Sequence, residues 1–248
     1  MTSLNPTLPN IRKLFIPDPG HFIADCDLSG ADAQVVAWEA NDEELKAAFR
    51  AGLKVHAENA KAMFGSAAGP DGKREPYYLN TKRAVHATNY GARPAALAAA
   101  NAWSMYESEK FQKRWFDMHP AILQWHKTIQ SQIYATRSVS NKFGYTRRYF
   151  DRIQDLLKEA LAWIPQSTVA CVTNRGLVNV DSRLPEVQIL LQVHDSLVVQ
   201  FPKPYLPHRH RIRDEMLITI PYDDPLIIPI SIKLSDKSWG DCKPITWE

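Results

Sequence analysis

Apolar positions along the chain change their spacing several times, and each change predicts an element. Phe22-Ile23-Ala24 is a short apolar run ending on Asp25-Cys26-Asp27, which predicts a buried strand around 21–27 with a carboxylate at its end. Helical patterning follows over Ala31 to Glu39, Asp42 to Arg50 and His56 to Phe64, and the stretch from Gly65 to Lys73 predicts a flexible turn. Tyr77 to Tyr90 contains neither Gly nor Pro and predicts one helix that stops near Gly91. An Ala-rich helix over 94–101 comes next, then helices over Glu107 to Met118 and Ala121 to Tyr134 separated at Pro120. A loop with Gly144 leads into a long helical region, about 151–175, bent at Pro165.

From Gln188 to Phe201 the pattern is that of a hairpin whose tight connection carries His194-Asp195, with both strands expected to be buried. A basic helix near 205–217 and a strand at 226–233 complete the chain, and residues 1–20, rich in Pro and Asn, are expected to be extended or looped. The order strand, many helices, hairpin, helix, strand predicts an α+β fold in which a sheet is interrupted by a large helical insertion. No internal repeat or low-complexity tract interrupts it.

Composition changes this picture little. A chain of 248 residues with 45% hydrophobic and 23% charged positions can bury one large core or two smaller ones. The net charge of +3 is too small to imply a nucleic-acid partner by itself. Local clusters carry more information: Lys73-Arg74, Lys82-Arg83, Arg147-Arg148 and the run His208-Arg209-His210-Arg211-Ile212-Arg213. Cys26, Cys171 and Cys242 have no CxxC spacing, which fits a reducing compartment without a disulfide framework. No apolar run reaches the roughly 18–20 residues of a membrane span, and Met1 to Pro6 lacks a signal-peptide pattern, so a cytoplasmic location is expected.

Three groups of residues bear on chemistry. Asp27 closes an apolar strand, where an ionised group is costly unless paired or metal-bound; it could equally cap the helix that follows. Asp195 sits between Leu190-Leu191-Gln192 and Ser196-Leu197-Val198-Val199, so a hairpin turn would thrust its carboxylate to the sheet edge; an ordinary His-Asp turn is the plainer reading. If the two strands are neighbours, Asp27 and Asp195 could hold two divalent cations and serve an in-line phosphoryl transfer. Asp25 lies one pleat before Asp27 on the same face and is a weaker candidate. Lys82, His86 and Tyr90, at i, i+4 and i+8, form one row on one helix face. A cation, an imidazole and a phenol in a row suit nucleotide phosphates and rings; a solvated helix face fits the row as well.

These segments together resemble the polymerase domain of family A DNA polymerases, the DNA polymerase I type, especially phage versions. Asp27-Leu28-Ser29-Gly30-Ala31-Asp32 and its continuation through His56 and Phe64-Gly65 look like motif A. Lys82 to Gly91 looks like motif B on the nucleotide-binding fingers helix, and Leu190 to Val199 looks like motif C. Phe116-Asp117-Met118-His119-Pro120 and Trp163-Ile164-Pro165-Gln166-Ser167 fall between them in family order, so the likeness extends from about Asn5 to Trp247.

The resemblance implies a DNA-directed DNA polymerase, a nucleotidyltransferase acting on primer-template DNA and dNTPs with two Mg²⁺ ions. Asp27 and Asp195 would be the catalytic, metal-binding carboxylates. Lys82 and His86 would meet the triphosphate, Tyr90 the sugar and base, and Asp32 would close the pocket against a ribose 2′-hydroxyl. Gln166 and Lys158 would touch template or primer, and Gln192 and His194 would face the primer terminus. Residues 1–66 and 151–248 would form the palm and 67–150 the fingers. No thumb or exonuclease domain fits into residues 1–20, so a fragment or subunit of a larger or split polymerase is expected, completed by an upstream thumb or exonuclease polypeptide, and located in the host cytoplasm if viral.

Several positions depart from the family pattern. Lys82 stands where Arg is commoner, His86 where Lys is commoner, Pro94 where many members carry Tyr, and Ser196 where an acid often follows the motif C aspartate. Asp32 is shorter than the usual Glu. Two other classes stay open from the residues: a non-catalytic module that binds DNA or completes a polymerase, and a two-metal nuclease.

Overall fold

The computed structural model describes residues 10–150 and 156–247. β1 (His21–Leu28) is followed by α1 (Ala31–Glu39), α2 (Glu43–Arg50), α3 (Val55–Phe64), α4 (Tyr77–Asn89), α5 (Pro94–Asn101), α6 (Met105–Met118) and α7 (Pro120–Thr136). β2 (Ser138–Ser140) and β3 (Thr146–Arg148) form a small hairpin, and α8 (Leu156–Arg183) leads to β4 (Gln188–Val193) and β5 (Ser196–Pro202). The chain closes with α9 (His210–Met216), β6 (Thr219–Ile220), β7 (Leu226–Ile227), β8 (Ile230–Ser235) and β9 (Lys243–Ile245). By packing it divides into a sheet unit, up to Ala31 and from Val169 onward, and a helical unit, Asp32–Thr168. Residues 32–66 thus pack with the helices that follow them.

In the sheet unit one antiparallel sheet runs in the order β4-β5-β1-β8-β9. β1 lies between β5 and β8, pairing Asp27 with Ser196 on one side and with Ser231 on the other. Ala24, Cys26, Leu28, Leu197, Val199, Phe201 and Ile232 are buried on one face. The other carries Ile23 and Val198, packed with Trp239, Leu191, Val193 and Cys242. α8 and α9 approach closely because Gly176 lacks a side chain: a Cβ there would lie 3.2 Å from the Met216 Cα.

Local chemistry explains the element boundaries. Asp42 caps α2 by accepting the Leu45 N–H at 2.9 Å. Ser104 and Glu107 form a reciprocal capping box, which starts α6 at Met105, two residues before the expected Glu107. Pro94 and Pro120 open α5 and α7, where a missing N–H costs nothing.

Four expectations are corrected. The long helix runs past 175 to Arg183, through Pro165, because Val172 and Val180 continue its buried side; its expected start at 151 lies outside the described residues. The strand expected at 226–233 is two strands: β7 pairs with β6, β8 joins the main sheet, and Pro229 between them has no N–H to donate. The basic helix is shorter, with Lys203–His208 in a 3-10 turn that contains Pro204 and Pro207. β4 is an exposed edge strand, not a buried one, with a bulge between Ile189 and Leu191.

In the helical unit the end of α4 is anchored from two sides. The Trp115 indole N–H donates to the Asn89 side chain at 2.9 Å, and His126 Nε2 lies 2.9 Å from the Asn89 carbonyl. Phe64, Tyr77, Trp103 and Phe111 form an aromatic cluster between α3, α4 and α6. His119, at the α6–α7 junction, is buried and bonds Asp42 at 3.0 Å.

Candidate active site

In the sheet unit the β4–β5 connection is two residues long, His194-Asp195, with His194 in the left-handed region at φ 55°. The Asp195 carbonyl accepts the Leu28 N–H at 3.0 Å, which stitches the turn to the end of β1. Asp195 therefore stands beside Asp27. Burial, then the Asp195 charge, pushes the Asp27 pKa up to about 6, with Lys233 acting in the opposite sense. The like charge of a nearby carboxylate thus adds to the effect of burial at Asp27. Asp25 is buried and accepts the Trp239 indole N–H at 2.9 Å, so it has a structural task. Gln192, near the end of β4, and His194, in the turn, are exposed, and Gln192 donates to Asn174 at 2.8 Å.

Two carboxylates of this kind suit a hard divalent cation, which takes oxygen ligands and retains waters. Among the described residues no third His, Cys, Asp or Glu joins them to complete a protein-only cage. Remaining ligands would have to come from substrate and solvent.

In the helical unit Asp32, on the first turn of α1, lies 3.8 Å from His86 of α4. The His86 and Tyr90 rings are 4.4 Å apart between centroids, inclined at 56°. Tyr90 is only 8% exposed. Burial and the Asp32 carboxylate raise its phenol pKa, while Gln166 acts the other way. Asp32, His86, Tyr90 and Gln166 thus form one group, although Gln166 lies far along the chain on α8. Burial lowers the His86 pKa, opposed by Asp32 and reinforced by Lys82. Lys158 is exposed on α8, its Cα 3.9 Å from where a Cβ on Gly91 would sit.

Sequence reasoning assigned no role to His56. It is pushed down to about 4 by burial and by the charges of Lys82 and His86, which makes it a neutral neighbour of the cationic row. α3 and α4 pack against one another. Only that packing reveals the connection, because the spacing from His56 to Lys82 carries no period.

No helix among the described residues is long and apolar enough to cross a membrane. A polymerase domain of Pol1 from M. smegmatis, in complex with DNA primer-template and dNTP, shares the fold at a TM-score of 0.80 and 22% identity, covering 92% of this chain and 42% of that one. DNA polymerase I of Chloroflexus aurantiacus is 26% identical over 99% of this chain and 28% of its own length. The thermostable DNA polymerase I of Thermus aquaticus is 28% identical over 98% of this chain and 31% of its own length. The chain therefore spans less than a third of the length of those two DNA polymerase I relatives. Residues 5–241 match the DNA polymerase family A description, and the chain belongs to that family.

Proposed function

We propose that this chain carries out template-directed DNA synthesis, transferring a nucleotidyl group from a dNTP to a primer 3′-hydroxyl. The observation that carries the reading is the placement of Asp195 beside Asp27 at one end of the sheet, where burial and the Asp195 charge raise the cost of ionising Asp27. Asp27 and Asp195 would hold two Mg²⁺ ions, which when bound supply a more acidic primer hydroxyl and neutralisation of triphosphate charge. Lys82 and His86, with His56 behind them, would meet the triphosphate. Tyr90 would lie against the sugar and base, and Asp32 would occupy the space a 2′-hydroxyl needs. Gln166 and Lys158 would track template or primer, and Gln192 and His194 the primer terminus. Position and charge do most of this chemistry, because phosphoryl transfer asks for little covalent participation from the protein.

The palm role falls to the sheet unit and the fingers role to the helices around α4. Because the matched region is under a third of each relative, we assign the duplex grip to a thumb outside it, on this polypeptide or another. The same coverage favours a second reading, a non-catalytic module that binds DNA or completes a polymerase. Primer extension by the purified chain, with and without a candidate upstream polypeptide, tests both. Extension that Asp195→Asn abolishes supports catalysis. DNA binding without extension in either mixture supports the module.

A further inference from the structure

The sheet face that carries Asp27 also carries a cation that the proposed chemistry does not use. In the β1–β8 register Lys233 stands directly opposite Asp25, and Ser231 opposite Asp27. Residues opposed across antiparallel strands share a face with Cβ atoms about 4.5–5.5 Å apart, and diagonal neighbours lie about 7–8 Å apart. Lys233 is therefore the direct neighbour of Asp25 and the diagonal neighbour of Asp27. Asp25 is buried with one oxygen on Trp239, and its other oxygen, Oδ1, has no hydrogen-bond partner.

Three other cations of this unit are engaged elsewhere. Arg12 stacks on the Trp239 ring at 4.4 Å, Lys13 reaches Asp241 at 3.8 Å, and Lys203 pairs with Asp236 at 3.1 Å. Lys233 makes no ion pair within 4.0 Å among the described residues, yet its charge acts on Asp27. Asp25 and Asp27 thus have Lys233 as a common neighbour across the strand pair.

We propose that Lys233 is the built-in counter-ion of the carboxylate end of the sheet, and that it keeps the affinity of that end for divalent cations low until substrate oxygens are present. The inference rests on the reading of Asp27 and Asp195 as metal-binding carboxylates. A lysine charge fixed near a carboxylate pair serves two ends. It offsets their mutual repulsion while no cation is bound, and it repels an arriving dication. Across roughly 8 Å at a partly solvated surface, one unit charge acting on a dication changes affinity by about tenfold.

Titration of the full chain with Mn²⁺, followed by the loss of the free-ion electron paramagnetic resonance signal in the absence of DNA and nucleotide, tests this. Lys233→Met and Lys233→Gln should each bind Mn²⁺ about tenfold more tightly than the parent, while Lys233→Arg, which keeps the charge, should stay within about threefold. Two neutral variants are used so that a folding failure of one leaves the other to decide. Equal or weaker Mn²⁺ affinity in a folded neutral variant overturns the counter-ion role. Asp27→Asn separates the two levels: if it binds Mn²⁺ as the parent does, the carboxylate-site reading itself is wrong.

Discussion

Asp27 and Asp195 are brought together by a main-chain bond: the Asp195 carbonyl accepts the N–H of Leu28, the residue after Asp27, at 3.0 Å. That bond does not involve either carboxylate, so it holds the turn beside Asp27 independently of their charge. The Asp27 pKa is held at about 6, above the ordinary 3.8. For an acid raised in this way, the stabilising contribution is complete below about pH 4 and disappears as pH rises through about 6.

Metal-free Asp27→Asn should accordingly be more stable than the parent at pH 8. After discounting for the solvent that still reaches Asp27, the gain is on the order of 1 kcal/mol. Urea unfolding in chelator across the pH range checks it, and the gain should vanish below about pH 4. A loss of stability at pH 8 would contradict the electrostatic account.

His86 offers a second pH handle. Burial and Lys82 hold it below its ordinary pKa, so it is neutral near pH 7 in the free protein. A triphosphate seated against it favours the imidazolium, and binding should then take up a proton. Affinity for a fluorescent dNTP analogue is expected to strengthen as pH falls from about 8 to about 6.5. His86→Lys, charged throughout, should flatten that dependence; a parent profile that is already flat removes His86 from the triphosphate site.

Shortening Asp32 tests the sugar-pocket role proposed for it. Asp32→Ala should raise incorporation of ribonucleotides relative to deoxyribonucleotides in primer extension, because it vacates the space beside Tyr90. An unchanged ratio would count against that role.

The buried Asp42–His119 pair tests the helical unit apart from any chemistry. Asp42 is opposed by burial, yet its pKa is lowered by His119 and the Leu45 N–H. Asp42→Ala removes both the α2 cap and the bond to His119, and should cost about 2–4 kcal/mol in chemical unfolding. Because the pKa is depressed, the contribution is present at neutral pH and lost only as pH falls into the acid range.

Much of the fold was legible in the sequence because local chemistry sets it. α1 ends at Glu39 and α5 begins at Pro94 as the pattern predicts, and the hairpin turn falls on His194-Asp195. What the sequence hid is long-range or small. The β2–β3 hairpin pairs Ser138 with Arg148 through three-residue, mostly polar strands that carry no alternation. β9 contains Pro244, which argues against a strand by propensity. The bonds from Trp239 to Asp25 and from His119 to Asp42 join residues that no period relates. Among site residues, the row on α4 was readable from spacing, and its contacts with Asp32, Gln166 and His56 were not.

The two outer strands of the sheet have one more consequence. β9 is three residues long and interrupted by Pro244, and β4 is kinked where Leu190 bulges. Neither margin presents a long, flat ladder of free amide groups, so a second molecule has little on which to template. Concentrated solutions of this chain should resist stacking into ribbons along the edges of this sheet.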